Sequence, residues 1–366
     1  MAAKIPGLDL PLSENDGAGI EFGNFHILHK DLHGRCRDIN HFEDFSKIKE
    51  GDFGTFYSAR DKEKNKWVIM KSYNLDKDLN SDSYTMVTTE INVLQTMAHR
   101  NLVTVLEVVS GESCESIWLV FEFYQHSLMD LLKYPSFLVP HLVKKIMEEI
   151  LLGLKYLHSA DYCHGNLNPD NILFDNSGVL KISDYTNPSI YHETTPLDDS
   201  DDIIDPILNM TLETCVLRYK PLDILMGCKK QHPAMDMWAV GCIFAELLLK
   251  KPLFPHSSVK DLCADIINLL GYPNDLRLPG FSELLQRNNT QVVDYRRGTK
   301  LQKRFIEQGT TCTHLLAALL VYNPRVRCTA EECLAHQYFR EEPTAGSNEN
   351  VAHLLKAVQE MTLQIK

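Results

Sequence analysis

The sequence predicts an α+β fold in which a small antiparallel-sheet lobe precedes a larger, mainly helical lobe. Three observations predict it. Short runs of alternating polarity, separated by turn residues, fill the first third of the chain. After about residue 125 the apolar spacing becomes helical. One segment, AMDMWAVGCIFAELLLK, is apolar on nearly every face, as a helix at the centre of a lobe would be. At 366 residues the chain is long enough for two lobes that share a cleft.

The elements follow in order. Residues 1–40, Gly-rich and polar around FGNFHILHKDLHG, read as an N-terminal arm, irregularly packed or mobile. FSKIKEG, DFGTFYSARD and WVIMKSYNL alternate and read as three antiparallel strands. EINVLQTM spaces Ile91, Leu94 and Met97 as a helix, and VTVLEVV and SIWLVFEF supply two more strands that complete a small lobe over 41–125. The larger lobe, 126–341, opens with the amphipathic LVKKIMEEILLGLKYLHSA. Further helices are expected near 260–270, 312–321 and 330–336. Residues 342–366 form a tail in which Val351, Leu354, Leu355, Val358 and Met361 fall roughly on one helical face, for the chain's own lobe or for a partner helix. No internal repeat is present.

Composition limits the function. The net charge of -12 argues against a broad nucleic-acid or anionic-membrane surface. The longest apolar stretch, Met237 to Leu249, contains Glu246 and is too short to span a bilayer. The first twenty residues do not resemble a secretory signal. Ten cysteines without a close CxxC pair suggest reduced thiols, hence an intracellular soluble protein of the nucleus, the cytoplasm or both. YHETTPLDDSDDIIDP, residues 191–206, holds five aspartates and one glutamate. It reads as a solvated loop, with a docking surface for a basic partner as the sharper alternative.

The stretch HGNLNPDN, residues 164–171, carries the functional question. With DMWAVGCIFAELLLKKPLFP, LLGYPNDLRLPGF and NPRVRCTAEECLAHQYF in the same order, the chain resembles a eukaryotic protein kinase domain over about residues 36–341. GRCRDINHFEDFSKIKEGDFGTFYSARD brings the resemblance to the PITSLRE-type cyclin-dependent kinases. It implies a bilobal protein-kinase-like fold. Gly51 and Gly54 match two glycines of the phosphate loop, with Lys49 in place of the first. Lys71 matches the lysine that pairs with the α and β phosphates, and Glu90 its helix partner. Asn171 and Asp184 match the magnesium positions, although the glycine two residues beyond Asp184 is Thr186.

Other positions depart from the pattern. Asn166 stands where the family has its catalytic aspartate, and an amide cannot act as a carboxylate base. Asn168 replaces the lysine that faces the transferred phosphoryl group, Gly165 replaces an arginine, and Val216 a threonine. Asp170 falls at the usual glutamate position and is no obvious substitute base. Phe56 and Ile69 add bulk where adenine would lie, so both are expected to occlude the pocket. Thr211 aligns with the activation threonine, but the three arginines that would gather its phosphate read Thr89, Gly165 and Ser189.

The scaffold positions are kept. Asp223 and Arg327 occupy the places of a buried salt bridge, and Asp236 is placed to accept amides of the catalytic loop or to cap its own helix. Leu94, Leu106 and Leu173 read as core residues of the internal apolar columns.

The expectation is a catalytically inactive, cyclin-dependent-kinase-like pseudokinase that scaffolds or regulates through protein contacts. The alternative is a weak or unconventional ATP- and magnesium-dependent Ser/Thr kinase. No cofactor is expected under the first reading, and ATP with magnesium remains open under the second. The expected partner is a protein, with a cyclin-like subunit weighed below another protein because SDSYTMVTTE keeps little of the PITSLRE helix. Neither nucleic acid nor membrane is expected.

Overall fold

The computed structural model describes residues 36–51, 54–74, 94, 97–111, 116–184, 189–190, 214–228, 232–287 and 300–365. Contacts divide the chain into two compact units, the first running through Gln125 and the second opening at His126. One is built on an antiparallel sheet and the other is mainly helical.

The first unit holds a five-stranded sheet in the order β1-β2-β3-β5-β4. Its strands are β1 (Phe42–Gly51), β2 (Gly54–Asp61), β3 (Lys66–Asn74), β4 (Val105–Ser110) and β5 (Ser116–Glu122). One face buries Ala59, Val68, Met70, Val109 and Val120 under Ile39 and Phe42. The end of the expected arm is therefore part of this core. Arg37 bonds Asp61 Oδ2 and Glu107 Oε1, each at 2.6 Å, and Asp38 bridges Ser110. The bond to Glu107, then that to Asp61, holds the Arg37 pKa above its ordinary value, and the same arginine holds the Asp61 carboxyl well below the usual range.

Leu106 corrects the sequence reading. It is exposed, while Val105, Glu107 and Val108 are buried. The β4–β5 register shifts between Val105 and Glu107, and an irregularity there reverses the alternation that a regular strand would keep. The helix expected around EINVLQTM lies outside the described residues except for Leu94 and Met97, both buried.

The second unit has five helices of ten residues or more among the described residues: α1 (Pro140–Ser159), α2 (Pro233–Leu249), α3 (Val259–Leu270), α4 (Thr310–Leu319) and α5 (Asn348–Ile365). Proline at the first helical position opens α1 and α2, where its missing N–H costs nothing. Every residue of α2 from Met235 to Leu247 is buried, including Asp236 and Glu246, so the uniformly apolar segment is the central helix. Short strands β6 (His126–Ser127), β8 (Ile172–Phe174) and β9 (Leu180–Ile182) form one small sheet, and β7 (Tyr162–Cys163) pairs with β10 (Ser189–Ile190). In α5, Val351, Leu354, Leu355 and Val358 are buried, but Met361 is exposed. Asn348 anchors the helix start through Glu149 Oε1 at 2.9 Å and the Gly178 carbonyl at 3.0 Å. Among the described residues no helix is long and apolar enough to cross a membrane, and the eight described cysteines are free thiols.

Candidate functional site

On the sheet unit, register decides which side chains meet. Phe56 pairs with Lys49 on β1 and with Lys71 on β3, while Ser58 pairs with Ile69. Partners in register share a face, and so do residues two apart. Lys49, Phe56, Ile69 and Lys71 therefore share one face. Lys71 is 1% exposed, with its ammonium 5.3 Å from the Phe56 ring centroid and 4.8 Å from that of Tyr73. Lys49 approaches the same Phe56 ring at 4.8 Å. Ring faces attract cations, so the bulk at Phe56 also provides a π surface for two lysines. Phe56 and Ile69 are each half-buried.

Gly51 and Gly54 face each other at the turn between β1 and β2. A Cβ on Gly54 would lie 2.5 Å from the Ser72 carbonyl oxygen. Close packing of β2 on β3 thus requires glycine here, whether or not phosphate binds. Glu90 and Thr89 lie outside the described residues, as do Thr186, the acidic stretch 191–206 and Thr211. Of Ser189 only the backbone is described.

On the helical unit, the loop from His164 to Asn171 is held by Asp236, Lys220 and the Ser183 carbonyl, and by bonds within itself. Asp236 of α2 is 1% exposed and accepts from the His164 amide at 2.8 Å, the Gly165 amide at 2.9 Å and His158 Nε2 at 2.8 Å. Of the two roles expected for Asp236, accepting loop amides is the one adopted. The N-cap residue of α2 is His232, without a side-chain capping bond. Burial alone would raise the Asp236 pKa, but His158 and the other donors hold its carboxyl below the ordinary value.

His164 is fully buried. Its Nδ1 accepts from the Asn166 amide at 3.1 Å, so its Nε2 donates to the Ser183 carbonyl at 2.8 Å. Burial lowers its pKa and keeps the ring neutral. Lys220 donates to the Gly165 carbonyl from a nearly buried position, and burial pushes its pKa down to about 8. Gly165 adopts φ +75°, which glycine takes without the penalty of a side chain.

Asn168 and Asn171 turn onto the loop itself. Asn168 is 4% exposed, its Nδ2 donates to the Asn166 carbonyl at 2.9 Å, and its Oδ1 accepts from the Asp170 amide at 3.0 Å. It caps the short 3-10 turn Pro169–Asn171. Asn171 Nδ2 donates to the same Asn166 carbonyl at 3.0 Å. Asn166 Oδ1 is buried without a hydrogen-bond partner. Asp170 is exposed. Asp184 adopts φ +69°, a left-handed conformation that aspartate tolerates better than most residues.

Two features lay outside the sequence reading. His164 and Lys220 had no assigned role. Their signal was a histidine and a lysine inside apolar surroundings at CHGNL and LRYKPL. The Asp223–Arg327 bridge also needs correction. Both residues are buried, but no direct ion pair joins them. Arg327 spends its guanidinium on the carbonyls of Val321, Tyr322 and Ala234 and lies over the Trp238 ring at 5.1 Å, whereas Asp223 has His232 Nε2 at 3.7 Å. Val216 and Arg218 are half-buried, and Arg218 Nε donates to the His256 carbonyl at 3.2 Å.

Comparison with known proteins fits this architecture. The family model for the protein kinase domain matches residues 42–339. Rat cyclin-dependent kinase 11B is 34% identical over 317 residues, which are 84% of this chain and 68% of that protein. Human cyclin-dependent kinase 11B is 34% identical over 315 residues, but the match covers only 37% of its length. Human cyclin-dependent kinase 10 is 34% identical over 313 residues, 85% of this chain and 82% of that protein. The chain belongs to the protein kinase domain family, among relatives of cyclin-dependent-kinase type.

Proposed function

Starting from membership of the protein kinase family, we propose that this chain is a catalytically inactive pseudokinase that acts as a scaffold or regulator through protein contacts. The observation that carries the reading is Asn166. It holds the place of the catalytic carboxylate in a loop whose main chain is held by buried hydrogen bonds, and its side-chain oxygen belongs to an amide without useful basicity. Base catalysis is typically worth about 10²- to 10⁴-fold. The neighbouring charge is missing too, because Asn168 is folded into the loop as a cap. Stabilisation of the phosphoryl group from this position is therefore lost as well.

A weak kinase is the second reading, and the buried Lys71 favours it, together with Asn171 and Asp184. These last two supply hard oxygen groups of the kind magnesium accepts, so the donor set fits the ion in type. Bound magnesium would neutralise charge on the phosphates of ATP.

Phosphotransfer from labelled ATP with magnesium, followed in the full chain, separates the readings. Wild type should give no rate above a Lys71→Met control, and Asn166→Asp alone should recover little. Asn166→Asp with Asn168→Lys should recover the most. Expression of Lys71→Met in cells lacking the protein should restore its function. A wild-type rate abolished by Lys71→Met, or failed rescue by that folded variant, would overturn the scaffold reading.

A further inference from the structure

Three side-chain atoms around one end of α2 are buried and have no hydrogen-bond partner: Asp223 Oδ1, His232 Nδ1 and Trp238 Nε1. Asp223 and His232 face each other at 3.7 Å, beyond hydrogen-bond length, and both side chains are more than nine-tenths buried. Trp238 lies under the Arg327 guanidinium. Arg327 uses one donor on each of its three nitrogens, and a guanidinium carries five N–H groups. Burial lowers its pKa to about 10, against the pull of the Asp223 charge. Carbonyl oxygens, not the Asp223 carboxylate, take its hydrogen bonds.

Such a set is costly when dry. A buried polar atom left unsatisfied costs about 1–3 kcal/mol, and native interiors contain few of them. Asp223 stands at the last position of the A-P-E signature, where glutamate is one methylene longer. One carboxylate against one guanidinium leaves little net charge to attract a further ion. The occupant that fits must donate to Asp223 and accept from Trp238 or Arg327, and water does both.

We propose that ordered internal water occupies the polar site bounded by Asp223, His232, Trp238 and Arg327, and links the carboxylate to the guanidinium in place of a direct ion pair. The segment after Asp223 is then tied to α2 and Arg327 through an exchangeable molecule. Asp223→Glu supplies the missing methylene and displaces it.

Crystals of wild type and of Asp223→Glu, diffracting well enough to show ordered solvent, test this directly. Wild type should show water within hydrogen-bond distance of Asp223 Oδ1 and of one further atom among His232 Nδ1, Trp238 Nε1 and the Arg327 nitrogens. In Asp223→Glu the carboxylate should meet the guanidinium and that water should be gone. Amide hydrogen exchange at residues 224–228 should slow about tenfold in the variant. A dry wild-type site, a direct Asp223–Arg327 contact, or a variant that keeps the water overturns the proposal. The wild-type solvent structure decides alone should Asp223→Glu fail to fold.

Discussion

Asp236→Ala tests whether the loop is held as the geometry indicates. The substitution removes the acceptor of two buried backbone amides, those of His164 and Gly165, and of His158 Nε2. Each orphaned amide costs about 1–3 kcal/mol. Removing one member of a buried polar network generally costs about 3–5 kcal/mol, so the two routes to the figure agree. Against a typical stability of about 5–15 kcal/mol this is a large share. At about 2–4 °C per kcal/mol, the melting temperature should fall by roughly 6–20 °C.

Asp236→Asn should lose about half as much, because one oxygen still accepts while the new NH₂ group faces a donor. Its folded pKa is depressed, so Asp236 contributes stability that is present above its unfolded pKa and is lost as pH falls through the lower folded value. Acid unfolding of wild type should therefore steepen below about pH 4, and this component should be missing in Asp236→Asn. Scanning fluorimetry and urea titration across pH measure both effects. A loss below about 1 kcal/mol in Asp236→Ala would refute the reasoning.

Three further outcomes follow from single contacts. The folded pKa of Lys220 is about 8, below the unfolded value near 10.4, so the unfolded chain binds more protons between them and stability should rise over that window, by roughly 3 kcal/mol at most. Lys220→Met should abolish that rise in urea titrations at pH 7.5 and about 10, and an unchanged difference would count against a buried, charged lysine. Gly54→Ala should destabilise the nucleotide-free protein by about 1–3 kcal/mol, since its Cβ would press on the Ser72 carbonyl at 2.5 Å, and an unaltered melting temperature would sink this. Asn348→Ala removes donors to Glu149 and Gly178. It should cost about 1.5–3 kcal/mol and speed proteolytic release of α5, whereas wild-type resistance would show that apolar packing suffices.

The sheet and the central helix were legible because their patterns need no tertiary information. Alternation marked β1 to β5, and apolar residues on every face marked α2. Local irregularity hid the rest. In VTVLEVV nothing signals that the register shifts before Glu107, yet the shift turns Leu106 outward and brings Glu107 to Arg37. In α5, Val358 lies within about 20° of Val351 around the helix and Met361 within about 20° of Leu354, so the angle alone keeps all five residues near one face. Met361 is nevertheless exposed. For Asp223 and Arg327, position was readable but reach was not. Whether two side chains touch depends on where the carbonyls of residues 234, 321 and 322 lie.

The loop from His164 to Asn171 is anchored without using the side chain at the position where phosphoryl transfer needs its base. The contacts that hold the loop end on main-chain atoms. Asp236 takes the amides of residues 164 and 165, Lys220 donates to the carbonyl of 165, and Asn168 and Asn171 donate to the carbonyl of 166. None of these bonds uses the side chain at 165 or 166, although the φ of +75° at 165 favours glycine there. Replacing an acidic side chain at 166 therefore leaves the loop's backbone anchors in place, while it removes a group that phosphoryl transfer uses. The folding free energy consequently exerts little force to keep an aspartate at 166. Asn166→Asp should leave the melting temperature within about 2 °C of wild type, a shift of less than about 1 kcal/mol. A large destabilisation by that single oxygen would mean that the loop has repacked around the amide, and that the scaffold is built on Asn166 itself.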